Sequence, residues 1–157
     1  METTLAANLE LAPVSKLDCE MFMEMAERHF RELNPAFEPQ ADWKESYFPS
    51  VTENPRLFLR WIQVDGNRAG FTLFGIENHR FLPRQTGAIY ELYIEPEFRR
   101  SGVGRSCALA AIRELQAHSP SKVQLEIMAG NVPAEKLWAS LGFQKVSERW
   151  VLKDLKE

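Results

Sequence analysis

The sequence predicts an α/β fold of the α+β kind, a mixed β-sheet carrying helices on both faces. Two observations predict it. Two strand-like runs are joined by Asp65-Gly66, a two-residue hairpin turn that makes them antiparallel neighbours. Two further strand-like runs, 88–94 and 122–128, are separated by a helical segment at 102–117, and such a crossover makes them parallel neighbours.

The elements follow in order. Ser15 opens a helix, with Asp18 three residues on as a capping-box partner. Leu17, Met21 and Met25, and Phe22, Ala26, Phe30 and Leu33, recur at helical spacing, and Asn34-Pro35 ends the pattern. The segment 35–56 holds Pro35, Pro39, Pro49 and Pro55, and reads as a loop with a short helix at 42–48. Leu57 to Val64 and Ala69 to Ile76 are the hairpin strands, and 78–87 is a polar loop. Ala88 to Ile94 is a third strand, stopped by Pro96. In the helix 102–117, Val103, Cys107, Ala111 and Leu115 fall at steps of four, and Ser119-Pro120 ends it. Val123, Leu125 and Ile127 alternate as a fourth strand. Pro133 to Leu141 is a short helix stopped by Gly142, and 143–155 is a last strand or pair of strands.

The chain has 157 residues, enough for one domain over residues 1–157 with its own core. Its formal net charge of -3 argues against nucleic-acid binding, which favours a basic surface. Neither a basic-then-apolar leader nor an apolar run long enough to span a membrane is visible, and Cys19 and Cys107 read as buried thiols. The expectation is a cytoplasmic protein with no membrane partner and no metal site.

The stretch from Tyr90 to Arg105 carries the most chemistry. A strand, a short turn, two glycines and a helix start follow one another. A helix start presents unpaired N–H groups and the positive end of the dipole, and glycines let a phosphate approach the backbone. Arg99, Arg100 and Arg105 add positive charge at the same point. A Walker loop would need lysine where Arg105 stands, and a dinucleotide fingerprint would need a third glycine where Cys107 stands. The plainer alternative is that Gly102 and Gly104 only start a helix.

This segment resembles the central motif of the GNAT N-acetyltransferases: Arg or Gln, two residues, Gly, any residue, then Gly or Ala. Arg99, Gly102 and Gly104 occupy those places. A second segment is similar to the family's later motif, with Asn131, Ala134, the aromatic Trp138 and Gly142-Phe143. The two stand in the family's order, and the element order agrees from Leu9 to Leu155. The resemblance implies a mostly antiparallel sheet of six to seven strands, with a V-shaped splay between strands 88–94 and 122–128. It implies acetyl-CoA as cosubstrate, its pantetheine arm beside Leu92 to Ile94 like an added strand. The pyrophosphate would lie at Arg99, Arg100, Gly102, Val103, Gly104 and Arg105. Asn131 would bond the cofactor arm, besides serving as a helix N-cap. Homodimers are common in the family.

Acyl transfer to an amine needs the neutral nitrogen, so a base must take its proton. The family often places a glutamate on the acetyl-bearing strand, which makes Glu91 the first candidate, Glu126 the second and His79 the third. The family's tyrosine acid is replaced here by Trp138, whose indole donates a hydrogen bond but supplies no useful proton. Trp138 is expected to pack against the pantetheine or the core, leaving Tyr93, Tyr90 or solvent to protonate the thiolate. The expected activity is acetylation of a primary amine on a small molecule, protein or peptide; the alternative is a catalytically weak CoA-binding module. Trp43, Tyr47, Phe48 and Phe81 could cage the acceptor or pack in the core.

Overall fold

The computed structural model describes residues 8–155. Five strands form one sheet in the order β1-β2-β3-β4-β5: β1 (Leu9–Pro13), β2 (Leu57–Val64), β3 (Asn67–Asn78), β4 (Gln85–Ile94) and β5 (Val123–Leu125). The first three pairings are antiparallel and the last is parallel. Among the described residues, four α-helices accompany them: α1 (Cys19–Leu33), α2 (Trp43–Thr52), α3 (Val103–Gln116) and α4 (Val132–Ser140). Residues Met1–Glu126 and Ile127–Glu157 are two compact units.

In the first unit, the β2–β3 turn takes positive φ at both Asp65 (51°) and Gly66 (81°), the backbone a tight right-twisted hairpin needs. Phe22, Met25 and Ala26 of α1 and Phe48 and Val51 of α2 pack with Leu59, Trp61, Phe71, Leu73 and Tyr93 of the sheet. A second cluster joins Val103 and Cys107 of α3 to Ile62, Ala69 and Ile94. All four α3 residues read at steps of four are buried. The small face made by Cys107, Ala108 and Ala111 lets α3 lie close to the strands.

Several expectations need correction. The sheet has five strands among the described residues, not six to seven. Residues 143–155 form no strand, and Val146, Trp150, Val151, Leu152 and Leu155 are exposed. Alternating apolar residues become a strand only when a ladder partner satisfies the backbone, and these have none among the described residues. Conversely, Leu9 to Pro13 is a strand that the sequence reading left without structure; it pairs as the sheet edge, where Pro13 is tolerated. The helix expected at 42–48 continues through Pro49 to Thr52. Proline removes one N–H donor there, while burial of Phe48 and Val51 and the bond from Glu53 N to Pro49 O hold the last turn. Finally, Leu17, read as part of the helical repeat, lies before α1 and is 97% exposed, whereas His29 of α1 is buried.

In the second unit, Asn131 caps α4, its side chain accepting the Ala134 N–H at 3.2 Å. The helix ends in a Schellman arrangement. Phe143 N donates to Trp138 O (3.1 Å), Gly142 N donates to Ala139 O (3.0 Å), and Gly142 sits at φ 98°. The rings of Trp138 and Phe143 meet edge-on at 5.3 Å, the apolar contact that accompanies this stop.

Candidate active site

The site is built where β4 outruns its neighbour. The parallel ladder pairs Gly87 with Val123, Ala88 with Gln124 and Ile89 with Leu125, and stops there, although β4 continues to Ile94. Residues 90–94 therefore have no ladder partner on their β5 side among the described residues. One residue of β4 is inserted at the same point: opposite Leu73 and Phe74 stand Glu91 and Ile89, with Tyr90 as the extra residue of a bulge. Bulges re-aim side chains, and this one changes which face the following residues present.

Glu91 is held at two points. The Thr72 hydroxyl donates to its carbonyl oxygen at 2.8 Å. His29 Nε2 lies 2.5 Å from its Oε2. The Glu91 side chain is nonetheless 23% exposed. From α2, Tyr47 comes near; burial, and then the Glu91 charge, hold its phenol above the usual range and keep it protonated. Tyr47 belongs to an aromatic wall in which it stacks on Trp43 at 5.4 Å, and Trp43 in turn meets Phe37 and Phe30. Of the four aromatics considered for the acceptor, Phe48 is in the core and Phe81 is in the β3–β4 loop, leaving Trp43 and Tyr47 half-buried on this side.

The other titrating candidates lie in different settings. Tyr93 is buried, with its phenol pushed up by burial and by its bond to Glu95, against the pull of Arg28. Tyr90 donates to Glu77 Oε1 at 2.5 Å, and burial and that carboxylate raise it likewise. His79 Nδ1 accepts the N–H groups of Phe81 (3.1 Å) and Leu82 (3.0 Å), so its ring organises the β3–β4 loop. Glu126 follows the last residue of β5 and is exposed.

Beyond β4, the turn leads into α3. Gly102 is its N-cap at φ 81°, and Arg100 is also left-handed at φ 64°. The first bond of the helix is Ser106 N to Gly102 O at 3.0 Å, so the N–H groups of Val103, Gly104 and Arg105 precede the ladder. A side chain at residue 102 would be strained at that φ, and a glycine at this helix start fits a phosphate held by backbone. Arg99 is engaged elsewhere. Its Nε donates to Ile94 O (2.7 Å), its Nη2 meets Glu32 Oε2 (2.9 Å), and its guanidinium lies over the Tyr93 ring. It thereby ties the end of β4 to α1. Among the described residues, no group of three His, Cys, Asp or Glu side chains could hold a metal, and no helix is long and apolar enough to cross a membrane.

The chain is similar to known proteins both in sequence and in fold. The acetyltransferase (GNAT) family model matches residues 19–143, most of the chain. The chain belongs to the GNAT acetyltransferase family. It is 29% identical over 107 residues to a mycothiol acetyltransferase of Acidothermus cellulolyticus, a match covering 67% of this chain and 32% of that protein. It is 27% identical over 107 residues to the [ribosomal protein bS18]-alanine N-acetyltransferase of Escherichia coli, covering 68% of each. This GNAT chain thus spans about a third of the mycothiol enzyme's length. Among solved structures, it is similar to a ribosomal-protein-alanine N-acetyltransferase from Brucella melitensis, with TM-score 0.71 and 16% identity over 94% of this chain and all of that one. A transcriptional regulator from Bacillus halodurans aligns with TM-score 0.76 at 14% identity, over 94% of this chain and all of that one. At such identities the two structures speak for the GNAT fold alone.

The residues that sequence reasoning missed in this candidate site are His29 and Thr72. Thr72 carried no signal. His29 did: it stands three and four residues after Ala26 and Met25, on the buried stripe of α1.

Proposed function

We propose that this chain transfers the acetyl group of acetyl-CoA to a primary amine by direct attack, with Glu91 as the base. The carrying observation is the position of Glu91: on the bulge of β4, beside the unpaired strand edge, on a strand that leads into the glycine-started helix. Acetyl-CoA supplies the activated acyl group. The chain's own residues do the rest. Backbone N–H groups of Val103, Gly104 and Arg105 hold the pyrophosphate, and Arg99 braces the turn that presents them, with Arg100 adjoining. The β4 backbone from Leu92 to Ile94, beyond the last β5 pairing, pairs with the pantetheine arm, and an N–H near Ile94 polarises the acetyl carbonyl. Glu91 takes the proton of the acceptor, directly or through water. Glu126, second on the sequence argument, is not on the bulged strand. Tyr93 and Tyr90 already donate to carboxylates, and the lack of a tyrosine at residue 138 leaves solvent to protonate the thiolate.

The names of the relatives support both a small-molecule acceptor and a protein α-amine. We read the two compact units as one functional domain, because the family match runs through both; Asn131 and Trp138 of the second unit carry the later motif, and the cofactor roles of both belong to this reading. The test is amine-dependent release of CoA across a panel of small amines and N-terminal peptides. Glu91→Gln should lower turnover by on the order of 10²–10³, while calorimetry shows unchanged CoA affinity. Turnover within about threefold of the parent passes the proton to another group. CoA binding with no turnover on any amine favours instead the binding-module reading, which the tryptophan at residue 138 suggests.

A further inference from the structure

His29 has no place in the mechanism as written, yet it is a buried polar side chain on the inner face of a helix. It is 6% exposed. Three rings surround it: Phe30 at 5.0 Å, Tyr93 at 5.4 Å, and Phe71 at 5.5 Å with the planes near perpendicular. An imidazole in such a setting is unfavourable unless it is hydrogen-bonded, and the bond it makes is to Glu91 Oε2. A carboxylate only accepts, so Nε2 carries the proton in this contact.

We infer that His29 is a positioning residue for Glu91, and that it acts on the reaction only through that carboxylate. This rests on the reading of Glu91 as the base. A glutamate has three side-chain torsions, and an unrestrained one spreads its oxygens over several rotamers. The imidazole is stiff, packed on three sides and carried by α1, so its Nε2–H fixes one Glu91 oxygen in space. The other oxygen then has a defined direction. Thr72 fixes the backbone of the same residue from β3, so Glu91 is located at both ends. The charged and titratable groups around the pair are Tyr47 from α2, Tyr93 from β4, Glu95 just after that strand, and Arg28 from α1; Arg28 is engaged with Glu95 at 3.2 Å. A wholly structural histidine would be indifferent to what Glu91 does in catalysis, and the two roles separate by experiment.

The experiment is a double-mutant cycle with steady-state kinetics on the full chain. His29→Phe keeps a ring and removes the donor; it should lower kcat about tenfold or more and leave the KM for acetyl-CoA unchanged. His29→Gln places an amide N–H near the former Nε2 and should recover most of that loss. In a Glu91→Gln background, His29→Phe should change kcat by less than about twofold, because the group through which it acts is gone. An equal loss in both backgrounds overturns the inference, as does a folded His29→Gln enzyme no better than His29→Phe. Should His29→Phe fail to fold, nitrogen NMR of the labelled imidazole decides. Wild type should show a single tautomer with the proton on Nε2, and Glu91→Gln should change its Nε2 signal; an unmoved signal overturns the pair. A Glu91→Gln enzyme as fast as its parent overturns the base assignment and the positioning role together. Failure of the His29 results alone, in an enzyme that needs Glu91, overturns only the positioning role.

Discussion

Asp18 gathers more interactions than its place between a short turn and α1 suggests. Its Oδ2 accepts the Trp61 indole N–H (3.0 Å) and the Ser15 backbone N–H (3.0 Å), and its Oδ1 meets Arg68 at 3.1 Å. Arg68 also lies over the Trp61 ring at 4.4 Å. The indole bond first, then the Ser15 N–H, hold the carboxyl below its ordinary value of 3.8, against the effect of burial. A carboxyl lowered in the folded state favours folding at pH above its unfolded value, and that contribution disappears as pH falls through the folded value. Wild type should therefore lose stability as pH falls below 3.8, over and above any loss in Asp18→Asn. At neutral pH Asp18→Asn should melt a few degrees lower. Melting curves across pH check both, and parallel curves for the two proteins would remove Asp18 from the account. The capping-box reading of Ser15 and Asp18 pointed to this carboxylate, but nothing local pointed to Trp61 or Arg68, which come from other strands.

At the scale of elements, α4 shows how a short helix is closed. Asn131 caps one end, and Gly142 with the Trp138–Phe143 contact closes the other. Nine residues are too few for a helix to persist on propensity, so its ends and its apolar contact carry it. Trp138 is buried. Trp138→Ala should cost about 3 kcal/mol or more in denaturant unfolding, whereas Trp138→Phe, keeping an aromatic contact with Phe143, should cost clearly less. A cost below about 1 kcal/mol for the alanine variant would mean that the indole does not support the helix stop. This element was fully legible in sequence, from its Asn-Pro start to its Gly-Phe end, because capping is local. The strand expected just after it was not, because a strand's partner lies elsewhere in the chain.

For the molecule as a whole, β3 is the centre of the sheet, paired along its length by β2 and β4. Eight consecutive residues of it, Ala69 to Ile76, are buried, and a Cβ on Gly70 would come within 1.8 Å of Tyr93 O. Amide exchange should be slowest at Phe71 to Ile76 and faster in the edge strands β1 and β5; β1 amides exchanging as slowly as those of β3 would contradict that order. The sequence by itself determined the elements whose cause is local. These are the Asp65-Gly66 hairpin, whose residues accept positive φ, the α3 stripe at steps of four, the parallel sense of β4 and β5, and the glycine-led helix start with its GNAT motif. Tertiary structure alone decided the rest. It paired Leu9 to Pro13 with β2 and formed no strand in 143–155, because a strand exists only where another backbone completes its hydrogen bonds. It put the bulge at Tyr90, because a register shift belongs to two strands and neither one records it. It brought His29 to Glu91 across 62 positions of sequence, because that contact is set by the packing of α1 on the sheet.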